Sequence, residues 1–206
     1  MGEGDIGLRE RKKQRTREQI VEQAMALFDE HGFEHVTIAD IAGAADIAPR
    51  TFFSYFPSKE DVVFHDFEAI FTSLHDRLAG RPASESAIDT MRDWVAEILD
   101  GMDPTDPNEQ CRHRVIHASP ALQERDRALV GRFERELAEA IASDLDAESG
   151  SLRPRMVAAA AAAALTELEH FFDKDHMPEN PMAIVDEVFV FVRGGIAALQ
   201  RHPAKR

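Results

Sequence analysis

The stretch "IAPRTFFSYFPSKE" (47–60) sets Arg50 and Thr51 beside four aromatic residues: Phe52, Phe53, Tyr55 and Phe56. A guanidinium fork and a hydroxyl are recognition chemistry, able to bind base edges, phosphates or carboxylates without breaking bonds. A core helix spaces its aromatics by three and four and does not crowd them against an arginine. Reaction chemistry is not encoded elsewhere. The chain has no glycine-rich phosphate loop, nucleophile elbow or HExxH, so it reads as a non-enzyme without a cofactor. His113 and His117 stand at i, i+4, and His170, Asp173 and His176 fall close together. Two histidines with no carboxylate at fixed spacing do not specify a metal, and solvated helix positions account for them.

The charge balance divides the chain. A net charge of −14 over 206 residues repels nucleic acid when taken globally. Residues 9–17, "RERKKQRTR", reverse that sign, with six positive groups against Glu10 alone. Such a run is either a solvated terminus or an electrostatic arm. A content of 44% hydrophobic and 30% charged residues is ordinary for a globular chain long enough to bury a core. The single cysteine, Cys111, excludes an internal disulfide and suits a reducing cytosol. No apolar run reaches the roughly 18 residues of a membrane span, and the N-terminus lacks a signal-peptide core. A soluble cytoplasmic protein without a membrane partner is expected.

The elements that must position Arg50 are helices. Ile20, Ala24, Leu27 and Phe28 share one helical face that Gly32 ends. Thr37 caps a short second helix, Asp46 takes the turn, and Pro49 opens a third helix closed by Pro57. Ser58 opens a fourth helix with an apolar stripe from Val63 to Leu78. Further helices are expected over about 84–101, 109–118, 121–145, 153–173 and 181–201. No strand pattern or repeat appears. The expected fold is all-α with about nine helices: a three-helix unit with a helix-turn-helix, then a larger six-helix bundle. The expected domains are a basic arm at 1–15, a DNA-binding domain at 16–60 and a ligand-binding and dimerisation domain at 61–206.

Two short helices joined by a tight turn place the N-terminal residues of the second at base edges in a major groove. Here those residues are Pro49, Arg50 and Thr51. The pattern "TIADIAGAADIAPRTFFSYFPSKEDVV" resembles the N-terminal signature of TetR-type transcriptional repressors, in Thr37, Ile41-Ala42, Ala45, Thr51, Tyr55-Phe56 and Ser58-Lys59-Glu60. The resemblance covers about 16–64 closely. It implies a ligand-responsive homodimer on a near-palindromic operator, with Thr37, Tyr55 and Lys59 on phosphates. Arg50 and Thr51 are the candidates for base edges, and Arg15 and Arg17 for phosphates or the adjacent minor groove. Pro49, Phe53 and Ser54 complete the candidate DNA-binding set. Three positions depart from the family: Asp46 stands for the usual glycine, Ala48 for a capping serine, and Phe53 for a tyrosine. The reading from another class is a ligand-binding or interaction protein of the same fold that no longer reads DNA.

The C-terminal half softly resembles an actinobacterial branch that includes mycofactocin regulators, on "RHRVIHASPALQERDRALVGRFERELAEAIASDL". That resemblance implies a small hydrophobic or amphipathic effector, with an acyl compound as the leading class. The candidate lining is Phe67, Phe71, Met91, Trp94, Ile98, Met102, Val115, Ile116 and Phe133, with Arg112 as a clamp for an anionic head group. For dimerisation, the alanine run at 158–164 permits close helix approach, and "IVDEVFVFVRGGIAAL" is apolar around most of its circumference. The candidate dimer residues are Ala161, Leu165, Leu168, Phe172, Val188, Phe189, Val192 and Ile196.

Overall fold

The computed structural model describes residues 3–101, 106–148, 150–171 and 178–201. The chain is all-α, and among the described residues there is no strand. The helices are α1 (Glu3–His31), α2 (Ile38–Ala44), α3 (Pro49–Phe52), α4 (Glu60–Val63), α5 (Phe67–Gly80), α6 (Ala87–Gly101), α7 (Pro107–Ala118), α8 (Pro120–Asp144), α9 (Leu152–Phe171) and α10 (Pro181–Arg201). A 3-10 turn, Phe33–His35, follows α1. None of these helices is long and apolar enough to cross a membrane.

Two of the expected elements take another form. The basic segment is not a separate arm but the first half of α1, which is helical from Glu3. The expected fourth helix is broken at 64–66, where Phe64 leaves helical backbone at φ −102° and ψ 36°. That break is why the described residues hold ten α-helices instead of about nine.

The chain forms two compact units, and a single cut after residue 60 does not separate them. The first unit is 1–67 together with 105–126; the second is 68–104 together with 127–206. In the first, Ile20, Ala24 and Phe28 of α1 meet Ile41, Phe52, Phe56, Val62 and Val63. Cys111, Val115 and Leu122 from α7 and α8 complete the same core. Each valine, leucine, isoleucine or phenylalanine among them contributes about 1.5–3 kcal/mol when fully buried. Polar contacts hold the returning segment in place. Arg114 binds Asp29 at 3.0 and 2.9 Å, and the Ser119 hydroxyl donates to Glu34 at 2.9 Å.

The second unit packs α10 on α9 and α6. Its core includes Leu74, Ile88, Met91, Trp94, Leu137, Ile141, Val185 and Phe189. Ser86 caps α6 by accepting the Asp89 N–H at 3.1 Å. Asp144 accepts the Ala87 N–H at 2.6 Å and pairs with Arg81 at 2.9 Å.

Candidate nucleic-acid interface

The helix-turn-helix is built by local chemistry. Thr37 accepts the Asp40 N–H at 3.2 Å while the Asp40 carboxylate accepts the Thr37 N–H at 2.9 Å, a reciprocal cap that starts α2. The Thr37 hydroxyl also donates to that carboxylate at 2.6 Å. Those hydrogen bonds hold the Asp40 carboxyl below its usual value. Asp46 takes the turn with φ 53°, the left-handed conformation that its short polar side chain tolerates. Pro49 opens α3, and Ala48, in the capping position, makes no side-chain cap.

From Pro49 to Phe56 exposure follows a four-residue rhythm. Pro49 and Arg50 are exposed, Thr51 is half-buried and Phe52 is buried; Phe53 and Ser54 are exposed, Tyr55 is half-buried and Phe56 is buried. One side of this segment is therefore fixed in the core by Phe52 and Phe56, and the other faces outward with Arg50 at its start. Among the described residues the Arg50 guanidinium has no hydrogen bond or ion pair, so its five donors are open to a partner.

Other members of the candidate set are already engaged. The Lys59 ammonium donates to the carbonyls of Phe33 at 2.7 Å and Val36 at 3.0 Å, and lies 4.2 Å from the Phe33 ring centroid. Arg17 donates to the His65 carbonyl, with its guanidinium 4.5 Å from the Phe56 ring centroid. Sequence spacing cannot reveal these roles, because each partner is 23 or more residues distant. Arg15 is exposed on α1, and Tyr55 packs against the core of the first unit.

The candidate ligand residues divide between two cores. Phe71 meets Phe133 at 5.5 Å and Trp94 meets Phe133 at 6.0 Å, with Met91 and Ile98 in the same cluster. Arg132, unremarked in the sequence, lies 3.8 Å from the Phe71 ring centroid and binds Glu68 at 2.6 Å. Val115 and Ile116 belong instead to the core of the first unit. Arg112 is no free clamp: both oxygens of Asp66 accept from it at 2.9 Å. Phe67 also falls in the first unit, and Met102 lies outside the described residues.

The candidate dimer residues lie largely on the side of α9 and α10 that packs within the chain. Ala161, Leu168, Phe189 and Val192 are buried within their own chain, and Leu165, Val188 and Ile196 pack against the same core. Phe172 lies outside the described residues. Because a helix turns about 100° per residue, the uncovered face falls on neighbouring positions. On α9 it carries Leu152, Met156, Ala159, Ala160 and Ala163; on α10 it carries Val190, Phe191, Gly194 and Gly195. Phe191 is 70% exposed and Val190 65%. Among the described residues no three His, Cys, Asp or Glu side chains converge on a metal site; Asp173 and His176 are outside them.

Comparison with known proteins agrees with this architecture. Residues 20–65 match the family model for bacterial regulatory proteins of the tetR family, and residues 85–197 match the MftR C-terminal domain. The HTH-type transcriptional regulator TcmR of Streptomyces glaucescens is 34% identical over 168 residues, spanning 74% of this chain and 71% of that protein. MftR of Mycobacterium tuberculosis, named as a mycofactocin biosynthesis transcriptional regulator, is 31% identical over 166 residues, spanning 78% and 82%. Among solved structures, the Thermus thermophilus repressor FadR in complex with lauroyl-CoA shares the fold, with a TM-score of 0.56 at 18% identity over 87% of this chain and 94% of that one. An outward-facing recognition segment on a capped helix-turn-helix, with both halves matched and two relatives above 30% identity, makes this chain a member of the TetR family of transcriptional regulators.

Proposed function

We propose that this regulator is a cytoplasmic repressor that binds a near-palindromic operator as a homodimer and leaves it when a small amphipathic effector binds. The second unit carries the effector site and the dimer contact, and residues 16–60, with Arg15 just before them, carry the DNA contacts. The observation that carries this reading is the outward face at 49–54, with Arg50 unengaged and Phe52 and Phe56 anchoring the opposite side. Arg50 and Thr51 meet base edges there, while Tyr55 and Arg15 supply donors for flanking phosphates. Release is differential affinity: the effector favours a dimer geometry that fits the operator poorly.

An acyl compound is the leading effector class. The aromatic group of Phe71, Trp94 and Phe133 offers apolar surface for an acyl chain. The lauroyl-CoA held by the FadR relative makes such a ligand compatible with the fold. The test is a gel shift on the DNA flanking the protein's own gene, at low salt, with and without lauroyl-CoA and shorter acyl-CoAs. A specific complex lost on adding the acyl compound is expected. Absence of any shift at low salt would instead support a ligand-binding protein that does not read DNA. A complex indifferent to every acyl-CoA would remove that effector class alone.

A further inference from the structure

Arg17 belongs to the apolar stripe of α1 and not to its basic run. Arg17, Val21, Ala24 and Phe28 fall at i, i+4, i+7 and i+11, and the last three are buried. The cations before it, Arg9, Arg11, Lys12, Lys13 and Arg15, are all exposed, whereas Arg17 is half-buried. Helix geometry turns this one guanidinium toward the protein.

Two partners meet there. The His65 carbonyl accepts from Arg17, and the Phe56 ring centroid lies 4.5 Å from the guanidinium. His65 sits in the break between α4 and α5, beside Asp66, which Arg112 binds. Phe56 closes the recognition segment: its N–H donates to the Phe52 carbonyl at 3.0 Å, and the two buried rings stand 5.9 Å apart. Phe52 in turn follows Arg50 and Thr51 directly. A planar cation stacked on a ring while donating to a carbonyl fixes each relative to the other. Lys59 joins a ring and a carbonyl in the same way, both of Phe33. Such a tie matters because a shift of under about 1 Å carries a donor out of hydrogen-bonding range of a base edge.

We propose that Arg17 is a positioning residue: it touches no phosphate, and through Phe56 and Phe52 it holds the recognition segment where Arg50 reaches its base. This rests on the operator-binding reading above. The experiment selects a duplex from a random library with the full-length protein. Binding of that duplex and of a scrambled one is then followed by fluorescence anisotropy across a range of salt. Arg17→Met keeps an unbranched chain beside the Phe56 ring and removes the charge. It should bind the selected duplex about tenfold more weakly, with scrambled binding within about twofold and an unchanged salt slope. Arg15→Met, by contrast, should weaken both duplexes and flatten the slope by about one. Arg17→Gln keeps an N–H donor for the His65 carbonyl without the charge, and should recover part of the preference. It also carries the test if Arg17→Met loses its helicity. A slope flattened by about one in either Arg17 variant, or a preference that neither reduces, would overturn the positioning role. Failure of the wild type to enrich any duplex would overturn operator binding itself, and this role with it.

Discussion

At the scale of single residues, engagement decides which basic groups are free to meet DNA. Arg50 has no partner within the described chain, so Arg50→Ala should weaken operator binding by about 1–3 kcal/mol and relax preference at one base pair. Overlaid binding curves on operator and scrambled duplex would remove that role. Lys59 is different, because its ammonium closes the 33–36 segment. Lys59→Met should cost about 1.5–3 kcal/mol of stability, since hydrogen bonds from a charged donor are lost, and it should lower the thermal midpoint even without DNA. An unchanged midpoint would return Lys59 to the DNA contacts alone. The Thr37 cap gives a third test: Thr37→Ala should destabilise by about 1 kcal/mol, read from chemical denaturation. Its partner Asp40 adds a pH signature. Because folding holds that carboxyl below its usual value, its contribution is complete above pH ~4 and is lost as pH falls through the lowered folded value. In Asp40→Asn that part of the acid limb should disappear.

At the scale of elements, the knee between α4 and α5 is tied down from three directions. Arg17 of α1 holds the His65 carbonyl, Arg112 of α7 holds Asp66, and Arg125 of α8 holds Asp61 with its guanidinium 5.6 Å from the Phe64 ring centroid. Much of the helix-turn-helix was legible in the sequence because its signals are local. Gly32 and Asp46 take positive φ, Thr37 caps α2, and Ser58 accepts the Asp61 N–H at 3.3 Å. The knee was illegible because nothing in "VVFHDFEAIF" breaks the helical pattern; the arginines that bind it lie far along the chain. The same limit applies to α9 and α10. Their apolar residues are so plentiful that periodicity marks two helices but cannot say which face the chain itself covers, and most of the candidate dimer set packs on that covered face. The uncovered face predicts that Phe191→Glu, or Val190→Asp, converts a dimer to a monomer in sedimentation equilibrium while leaving helicity unchanged. A dimer that survives both would place the interface elsewhere.

For the whole molecule, charge and chain path matter more than any contact. A body of net charge −14 is repelled by DNA, yet the exposed Arg9, Arg11, Lys12, Lys13 and Arg15 on the first half of α1 present the opposite sign. Long-range repulsion and local attraction together favour approach by one end, and salt weakens both. The return of residues 105–126 has an evolutionary consequence. The first unit draws Cys111, Val115 and Leu122 from a segment that follows α6 in sequence, so its core is not written in one continuous stretch. A recombination event that joined residues 1–67 to a foreign effector domain would leave a gap where those side chains belong. A designed chimera must therefore carry Cys111, Val115 and Leu122 of α7 and α8 along with the DNA-binding residues.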